Sequence, residues 1–137
     1  MRLMIVLAFV ATLIMPLTVA KAEEPGDSFA AVISEQIAAF QRNDVAQAFT
    51  FASPTIQQIF KSPERFGRMV RDGYPMVWRP ARFEMMQIVD TPSGPVQVVL
   101  FEDQSGRLHE AGYLMQMIDG RWRINGVKVR GMPGVGT

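Results

Sequence analysis

Residues 82–129 read RFEMMQIVDTPSGPVQVVLFEDQSGRLHEAGYLMQMIDGRWRINGVKV. Apolar residues fill four extended stretches, and clusters of Gly, Pro, Ser and Asp separate them, which is typical of strands joined by turns. Asp119-Gly120 is the clearest turn, because both central residues of a two-residue hairpin loop need positive φ. This stretch therefore predicts a four-stranded antiparallel meander.

Upstream of residue 82 the apolar residues recur every three or four positions, which is the period of amphipathic helices. The longest such pattern begins at Ser28 and ends near Arg42. Shorter patterns follow Asp44, Ser53 and Ser62, and these residue types cap helix starts by accepting backbone N–H groups. We expect helical structure to stop at Gly73, before Pro75, with a short extra strand at 76–79.

The order of the two regions predicts the fold class. Helices that precede a hairpin-linked sheet indicate an α+β domain with the helices on one face. Gly112 and Asn125-Gly126 lie inside strands, where they permit bends or bulges. We therefore expect N-terminal helices packed on a strongly curved four-stranded antiparallel sheet, forming a cone with a cavity.

The first 22 residues are typical of an export signal. A basic start is followed by an apolar run over 3–15, by Pro16, and by the small-residue triplet Ala20-Lys21-Ala22, which predicts cleavage between Ala22 and Glu23. An uncleaved anchor is the alternative, but the run is shorter than the roughly 20 residues that span a bilayer. Without cysteine the chain cannot be a lipoprotein, so we expect a periplasmic or secreted product with no membrane attachment after cleavage.

The remaining residues, 23–137, have the length of one domain, with flexible ends expected at 23–27 and 131–137. Removing Arg2 and Lys21 lowers Lys plus Arg from 14 to 12 against 13 acids, so the net charge becomes −1. That balance gives no electrostatic indication of nucleic-acid binding.

Several segments resemble the bacterial family known as domain of unknown function 4864. They are 37–49, 51–57, 66–70, 74–80 and 122–127. The resemblance implies a cone-shaped fold similar to the nuclear transport factor 2-like, or SnoaL-like, superfamily and to cystatin-like folds. It brings no established activity, since that superfamily contains isomerases, dehydratases, transport factors and non-catalytic pocket domains. Homodimerisation through the exposed sheet face, which is common in similar folds, is a further hypothesis.

The candidate catalytic residues are His109, Tyr113 and Tyr74. His109 is the only histidine, and strand alternation places it on the same face as Tyr113. If that face lines the cone, His109 would act as a general base and a tyrosine would donate to a developing oxyanion. The simpler interpretation is a histidine at the rim of the sheet. One histidine and no cysteine predict no metal site, and we expect no cofactor.

The candidate ligand-binding residues are Trp78, Trp122, Arg68 and Arg79. Aromatic side chains at a cavity mouth would contact an apolar molecule, and arginines would contact an anionic one. The alternative is that the tryptophans belong to the core and the arginines only solvate a surface. The most consistent hypothesis is a non-catalytic module of the periplasm that binds a small apolar or anionic ligand or a partner protein. A cofactor-free isomerase or dehydratase with His109 as base is the alternative.

Overall fold

The computed structural model describes Pro16 and residues 28–131, which form helices followed by an antiparallel sheet. The α+β class predicted from the sequence is confirmed. The helices are α1 (Phe29–Gln41), α2 (Val45–Thr50), α3 (Pro54–Phe60), α4 (Pro63–Gly73) and α5 (Pro75–Trp78). The strands are β1 (Arg82–Thr91), β2 (Gly94–Glu102), β3 (Leu108–Ile118) and β4 (Arg121–Gly131). The predicted signal segment and the predicted flexible ends, apart from Pro16 and Gly131, lie outside the described residues.

Side-chain caps fix where the short helices begin. Asp44 Oδ1 accepts from Gln47 N at 3.1 Å, Ser53 Oγ accepts from Ile56 N at 3.3 Å, and Ser62 Oγ accepts from Arg65 N at 3.2 Å. Each bond satisfies one of the backbone donors that the first helical turn leaves unpaired. The three caps predicted from the sequence are therefore confirmed.

Helix α4 ends at Gly73 as predicted, but a further helical turn, α5, begins at Pro75, so the predicted strand at 76–79 is wrong. Proline at the first position of α5 has the φ that a helix needs and no N–H to satisfy. The N–H groups of Val77 and Trp78 both donate to Tyr74 O, at 2.9 and 3.0 Å. This single turn buries Val77 in the core.

The sheet follows chain order, β1-β2-β3-β4, with every pair antiparallel. In the predicted Asp119-Gly120 turn the φ angles are 50° and 78°, as a two-residue hairpin requires. One register shift lies in β4, where Asn125 is the extra residue opposite Leu114 and Met115, so the predicted bulge at Asn125-Gly126 is confirmed. Gly112 pairs regularly.

A second bulge, not predicted, lies in β1 between Met85 and Ile88. The buried Gln97 side chain satisfies the backbone there, since its Nε2 donates to Met86 O at 3.0 Å and to Val98 O at 2.9 Å. A buried carboxamide without such partners would destabilise the fold. Gln97 therefore has a structural role in β1 and β2.

One core joins the helices to one face of the sheet, which we call the inner face. Alternate strand residues supply it, among them Val99, Phe101, Ala111, Tyr113 and Met115, and they pack against the buried stripe of α1. Residues 51–53 also pair with β4, where Ser53 N donates to Ile124 O and Ile124 N to Phe51 O, each at 2.8 Å. In the part of the chain described here, no helix is long and apolar enough to cross a membrane.

Candidate functional site

A cavity of about 390 Å³ lies between the helices and the inner face of the sheet. Its lining residues come from four helices, from β3 and β4, and from the loops beside them: Gln36, Phe40, Ala52, Ile56, Phe60, Phe66, Met69, Val70, Tyr74, Val77, Tyr113, Ile124, Gly126 and Val127. None of these residues carries a charge. A volume near the lower end of the roughly 300–1,000 Å³ range of small-molecule sites suits one compact molecule.

Helical spacing explains which side chains of α4 form the wall. Phe66, Met69 and Val70 are three and four residues apart, so they lie on one face of the helix. Phe66 and Val70 are buried, whereas Met69 is partly exposed. The cavity wall therefore runs from the core outward to the surface along α4.

The cavity reaches the surface between α3, α4 and β4. Ile56, Phe60, Met69, Tyr74 and Val127 all line it and all keep part of their surface in solvent. The residues at its deep end, such as Phe40 and Tyr113, have no exposed surface. A ligand would enter past the partly exposed side chains and contact the buried ones.

Tyr113 supplies a polar atom at the deep end. Its side chain is fully buried, and its hydroxyl is the only buried side-chain N or O atom without a hydrogen-bond partner within the described residues. Burial raises the pKa of the phenol, because a phenolate would lose its hydration. Tyr113 therefore carries a neutral hydroxyl whose capacity to donate and accept a hydrogen bond is unused within the described residues.

Gln36 is the second polar side chain in the wall. Its Nε2 donates to Ala48 O at 3.2 Å and joins α1 to α2, which leaves the carbonyl oxygen and one N–H of the carboxamide for a ligand. Gln36 was not among the site residues expected from the sequence. The signal was present, since a glutamine between Ile33 and Ile37 interrupts the apolar stripe of α1.

The bulge in β4 shapes the wall near Ala52. Ser53, which is fully buried, donates from Oγ to Asn125 Oδ1 at 2.7 Å. Because Asn125 is the extra residue, Ile124 and Val127 both face the cavity although they are three residues apart and regular strand alternation would place them on opposite faces. This arrangement depends on a contact across 72 residues and was not apparent from the sequence.

His109 lies away from the cavity. Its Nε2 is 2.7 Å from Asp103 Oδ2 at the turn between β2 and β3, and both side chains are mostly shielded from solvent. Asp103 Oδ1 also accepts from Ser105 Oγ at 2.7 Å and from the backbone N–H groups of Ser105 and Arg107, each at 2.9 Å. The Ser105 hydroxyl and His109 hold the pKa of Asp103 well below its usual range. Of the three candidate catalytic residues, only Tyr74 and Tyr113 meet in the cavity.

Arg79 and Trp78 join α5 to the end of α1. Arg79 Nη1 donates to Phe40 O at 2.6 Å and to Trp78 O at 2.9 Å, and Nη2 donates to Asn43 Oδ1 at 2.7 Å. The guanidinium lies 4.9 Å from the centre of the Trp78 ring, which itself packs on Phe40. Neither residue lines the cavity, so in this structure both stabilise the fold around it.

The other two candidate ligand-binding residues also lie elsewhere. Trp122 packs edge-on against Phe29 with ring centres 4.6 Å apart, and Arg68 is exposed on α4. The basic residues near α4 are partly paired, Arg71 with Asp72 and Arg82 with Glu102. Within residues 28–131, no three His, Cys, Asp or Glu side chains are grouped as a metal ion would require.

Comparison with known proteins gives a family but no activity. A family model described as Domain of unknown function (DUF4864) matches residues 22–137, in agreement with the resemblance seen in the sequence. No curated protein and no solved structure gives a significant match to the chain. The geometry of the cavity is therefore the main basis for a functional proposal.

Proposed function

The chain belongs to the family described as Domain of unknown function (DUF4864), and we propose that it is a non-catalytic module that binds one small, largely apolar molecule in its cavity. The observation that carries the proposal is the Tyr113 hydroxyl, which is buried in an apolar wall and has no partner within the described residues. A buried polar group without a hydrogen bond costs about 1–3 kcal/mol. A ligand with one hydrogen-bonding group would remove that cost.

The wall favours a neutral ligand over an anionic one. Within residues 28–131, no lysine, arginine or histidine lines the cavity. A carboxylate buried there without a cation would carry a large desolvation penalty. The apolar side chains would bind a ring system or short chain, and Tyr113 would fix its orientation. Of the two ligand types expected from the sequence, the proposal retains the apolar one.

The cone-shaped fold of the nuclear transport factor 2-like type is part of the same proposal. A cavity between the helices and the inner face of a bulged antiparallel sheet supports it.

Export to the periplasm also remains part of the proposal. The family match begins at residue 22, next to the expected cleavage position, which supports a leader that is separate from the binding domain.

Native mass spectrometry of the full-length gene product, recovered from the periplasm of an expressing bacterium, tests ligand retention and export together. We expect a polypeptide that begins at Glu23 and carries a small molecule that is released on denaturation. An unprocessed chain in the cytoplasm would contradict export. If the periplasmic protein retains no molecule, titration with a fluorescent probe decides whether the cavity binds a small apolar ligand.

The neutral fluorescent naphthalene ketone prodan tests the cavity directly. We expect it to bind the wild-type protein with blue-shifted emission, and Ala52→Leu and Val127→Phe to abolish binding because both add bulk to the wall. Tyr113→Phe should weaken binding about tenfold, the effect of losing one hydrogen bond of about 1.4 kcal/mol. The unfolding free energy of the ligand-free Tyr113→Phe variant should not fall, since the hydroxyl has no hydrogen-bond partner to lose within the described residues.

The matched control for the added bulk is Ala46→Leu, at an exposed position on α2, which should bind prodan like the wild type. Prodan binding that survives both Ala52→Leu and Val127→Phe in folded protein would overturn the proposal. Absence of binding to the wild-type protein would do the same.

A further inference from the structure

The mouth of the cavity is bordered by apolar side chains that stay partly in solvent. Ile59, on α3, is 63% exposed, more than any other large apolar side chain within residues 28–131. Ile56 and Phe60 lie three residues before it and one after it and line the mouth, and Met69 lines the mouth from α4. We call these four residues the apolar rim. A contiguous apolar surface of this kind marks an interaction site, unlike a single exposed apolar residue.

Hydrogen bonds on α3 show where Ile59 lies. The opposite side of this helix faces α2, because Gln57 Nε2 donates to Phe49 O at 3.0 Å and to Ala52 O at 3.3 Å. Residues two apart on a helix are about 200° apart around its axis, so Ile59 is on the side away from α2. Its spacing from Ile56 places these two side chains next to each other. Ile59 therefore extends the mouth outward into solvent.

Cations on α4 lie beside the apolar rim. Gly67 packs against Val45 of α2, and Arg65 and Met69, each two residues from Gly67, lie on the opposite side of α4. Arg68 is three residues after Arg65 and borders it on the helix surface. Arg65 and Arg68 are both exposed. The side of α4 that borders the mouth is therefore basic at its outer edge.

The local charge is positive after the neighbouring acids are counted. Three exposed cations form no ion pair within residues 28–131, and we call them the basic rim: Lys61, Arg65 and Arg68. Helix α3 carries no charged residue. Helix α4 has two acids, Glu64 and Asp72, and Asp72 is paired with Arg71 at 3.2 Å. Residues 61–72 thus carry four bases and two acids.

Strand β4, the third border of the mouth, adds no negative charge. It contains four bases and no acid. Two of the bases are engaged, since Arg130 pairs with Glu110 at 2.9 Å and Arg123 donates to Thr50 O. The surface around the mouth therefore has an apolar centre and a basic border.

We infer that this surface docks on a lipid bilayer with anionic headgroups. The apolar rim inserts among the lipids while the basic rim contacts the headgroups, and these two contributions add in interfacial binding. An acidic protein would match the basic rim alone. A bilayer matches both rims, and it is also the phase in which an apolar molecule dissolves.

Docking would let the ligand pass between bilayer and cavity without crossing water. The passage of a ligand rests on the proposed function, whereas the docking itself does not. The contact is peripheral and reversible. It replaces the expectation from the sequence that the processed chain makes no contact with a membrane.

Co-sedimentation with large unilamellar vesicles tests the inference. The purified protein begins at Glu23, so that the apolar run 3–15 cannot itself bind lipid. We expect binding to vesicles of phosphatidylglycerol and phosphatidylcholine in equal parts, and at least about tenfold weaker binding to phosphatidylcholine alone. Salt should weaken the binding to anionic vesicles because it screens the basic rim. Ile59→Asp and Arg65→Glu should each lower the partition coefficient at least about tenfold.

Two matched controls change the same residue types elsewhere. Ile88→Asp replaces an isoleucine that is 57% exposed on β1, and Arg107→Glu reverses an exposed charge in the turn between β2 and β3. Both should bind anionic vesicles like the wild type. None of the four substituted residues lines the cavity, so all four variants should still bind prodan in vesicle-free solution.

A wild-type protein that does not bind anionic vesicles would overturn the inference. Vesicle binding that Ile59→Asp leaves unchanged, or that Ile88→Asp weakens equally, would overturn it as well. Vesicle binding with the expected variant pattern in a protein that does not bind prodan would support docking and overturn only the proposed function.

Discussion

Asp103 holds the candidate general base His109 in a contact that stabilises a turn. Its carboxylate accepts four hydrogen bonds, from the Ser105 hydroxyl, from two backbone N–H groups and from His109. These donors stabilise the charged form, so the pKa of Asp103 lies well below that of an ordinary aspartate. The histidine that seemed available as a general base is engaged in holding the turn between β2 and β3.

This pairing predicts an acid-dependent loss of stability. Because the pKa of Asp103 is lower in the folded state than in the unfolded chain, the unfolded chain takes up more protons in acid. The stabilisation is therefore fully present above about pH 5 and is lost progressively as the pH falls below the usual aspartate pKa of about 3.9. Urea unfolding of Asp103→Asn should show a smaller decrease in free energy between pH 6 and pH 3 than the wild-type protein.

Asp90→Asn is the matched control, because the exposed Asp90 carboxylate has no hydrogen-bond or ion-pair partner within residues 28–131. Its pH dependence should follow that of the wild type. If the unfolding free energy of Asp103→Asn fell in acid as steeply as that of the wild-type protein, the Asp103 carboxylate would not be a source of the acid sensitivity.

At the residue scale, features that depend on the local sequence pattern were predictable, whereas features that depend on long-range contacts were not. Strand alternation correctly placed Tyr113 on the side that faces the helices. It could not show that the hydroxyl would lack a partner, since that depends on how α1 and α4 pack above it. Arg79 looked like a surface cation because two of its three acceptors lie on a distant segment, 36 and 39 residues away. Gln36 was detectable as a polar interruption of an apolar stripe.

At the element scale, helices α2 and α4 approach each other at Gly67. A Cβ atom at this position would clash with Val45 Cγ1 and lie 3.1 Å from Val45 Cβ. Glycine inside a helix costs about 1 kcal/mol relative to alanine, so the close packing is what makes the glycine favourable. Val45 begins α2 directly after the Asp44 cap, which fixes the position of the clashing side chain.

We predict that Gly67→Ala destabilises the protein by about 1–3 kcal/mol, because overpacking outweighs the gain in helix propensity. Val45→Ala in the same chain should recover much of that loss, which a double-mutant cycle of urea unfolding measures. Gly73→Ala is the control, since a Cβ there meets no atom within 4 Å, and it should be neutral or stabilising. A stabilising Gly67→Ala would show that α2 and α4 are not in close contact.

Helix starts and hairpin turns were predictable because their signals are local. A capping side chain and its backbone donor are three residues apart, and an Asp-Gly turn needs only its own two φ angles. The turn of helix at α5 and the bulge in β1 were missed for the opposite reason. Each is stabilised by burial or by a side chain from another segment, Val77 in the core and Gln97 on β2.

At the scale of the whole molecule, the order of helices and strands was enough to predict the class and the packing of helices on one face. The cavity was predicted only as a consequence of curvature. Its volume, its mouth and its residues depend on how side-chain volumes fill the space between α1, α4 and the sheet. The same sequence pattern would equally describe a fully packed interior.

The two tryptophans report on opposite ends of this single core. Trp78 packs on Phe40 near the C-terminal end of α1, with ring centres 5.4 Å apart, and Trp122 packs on Phe29 at its N-terminal end. Since one core connects α1, the other helices and the inner face, the helical and sheet regions should unfold together. We predict that Trp78→Phe and Trp122→Phe, each with one remaining tryptophan, show urea transitions by fluorescence that coincide with those followed by far-UV circular dichroism.

The measurement is made at one protein concentration, because a dimer would shift all midpoints with concentration. Separate midpoints for the two probes in either variant would mean that the ends of the core unfold independently, and the cavity between them would then not be a stable site.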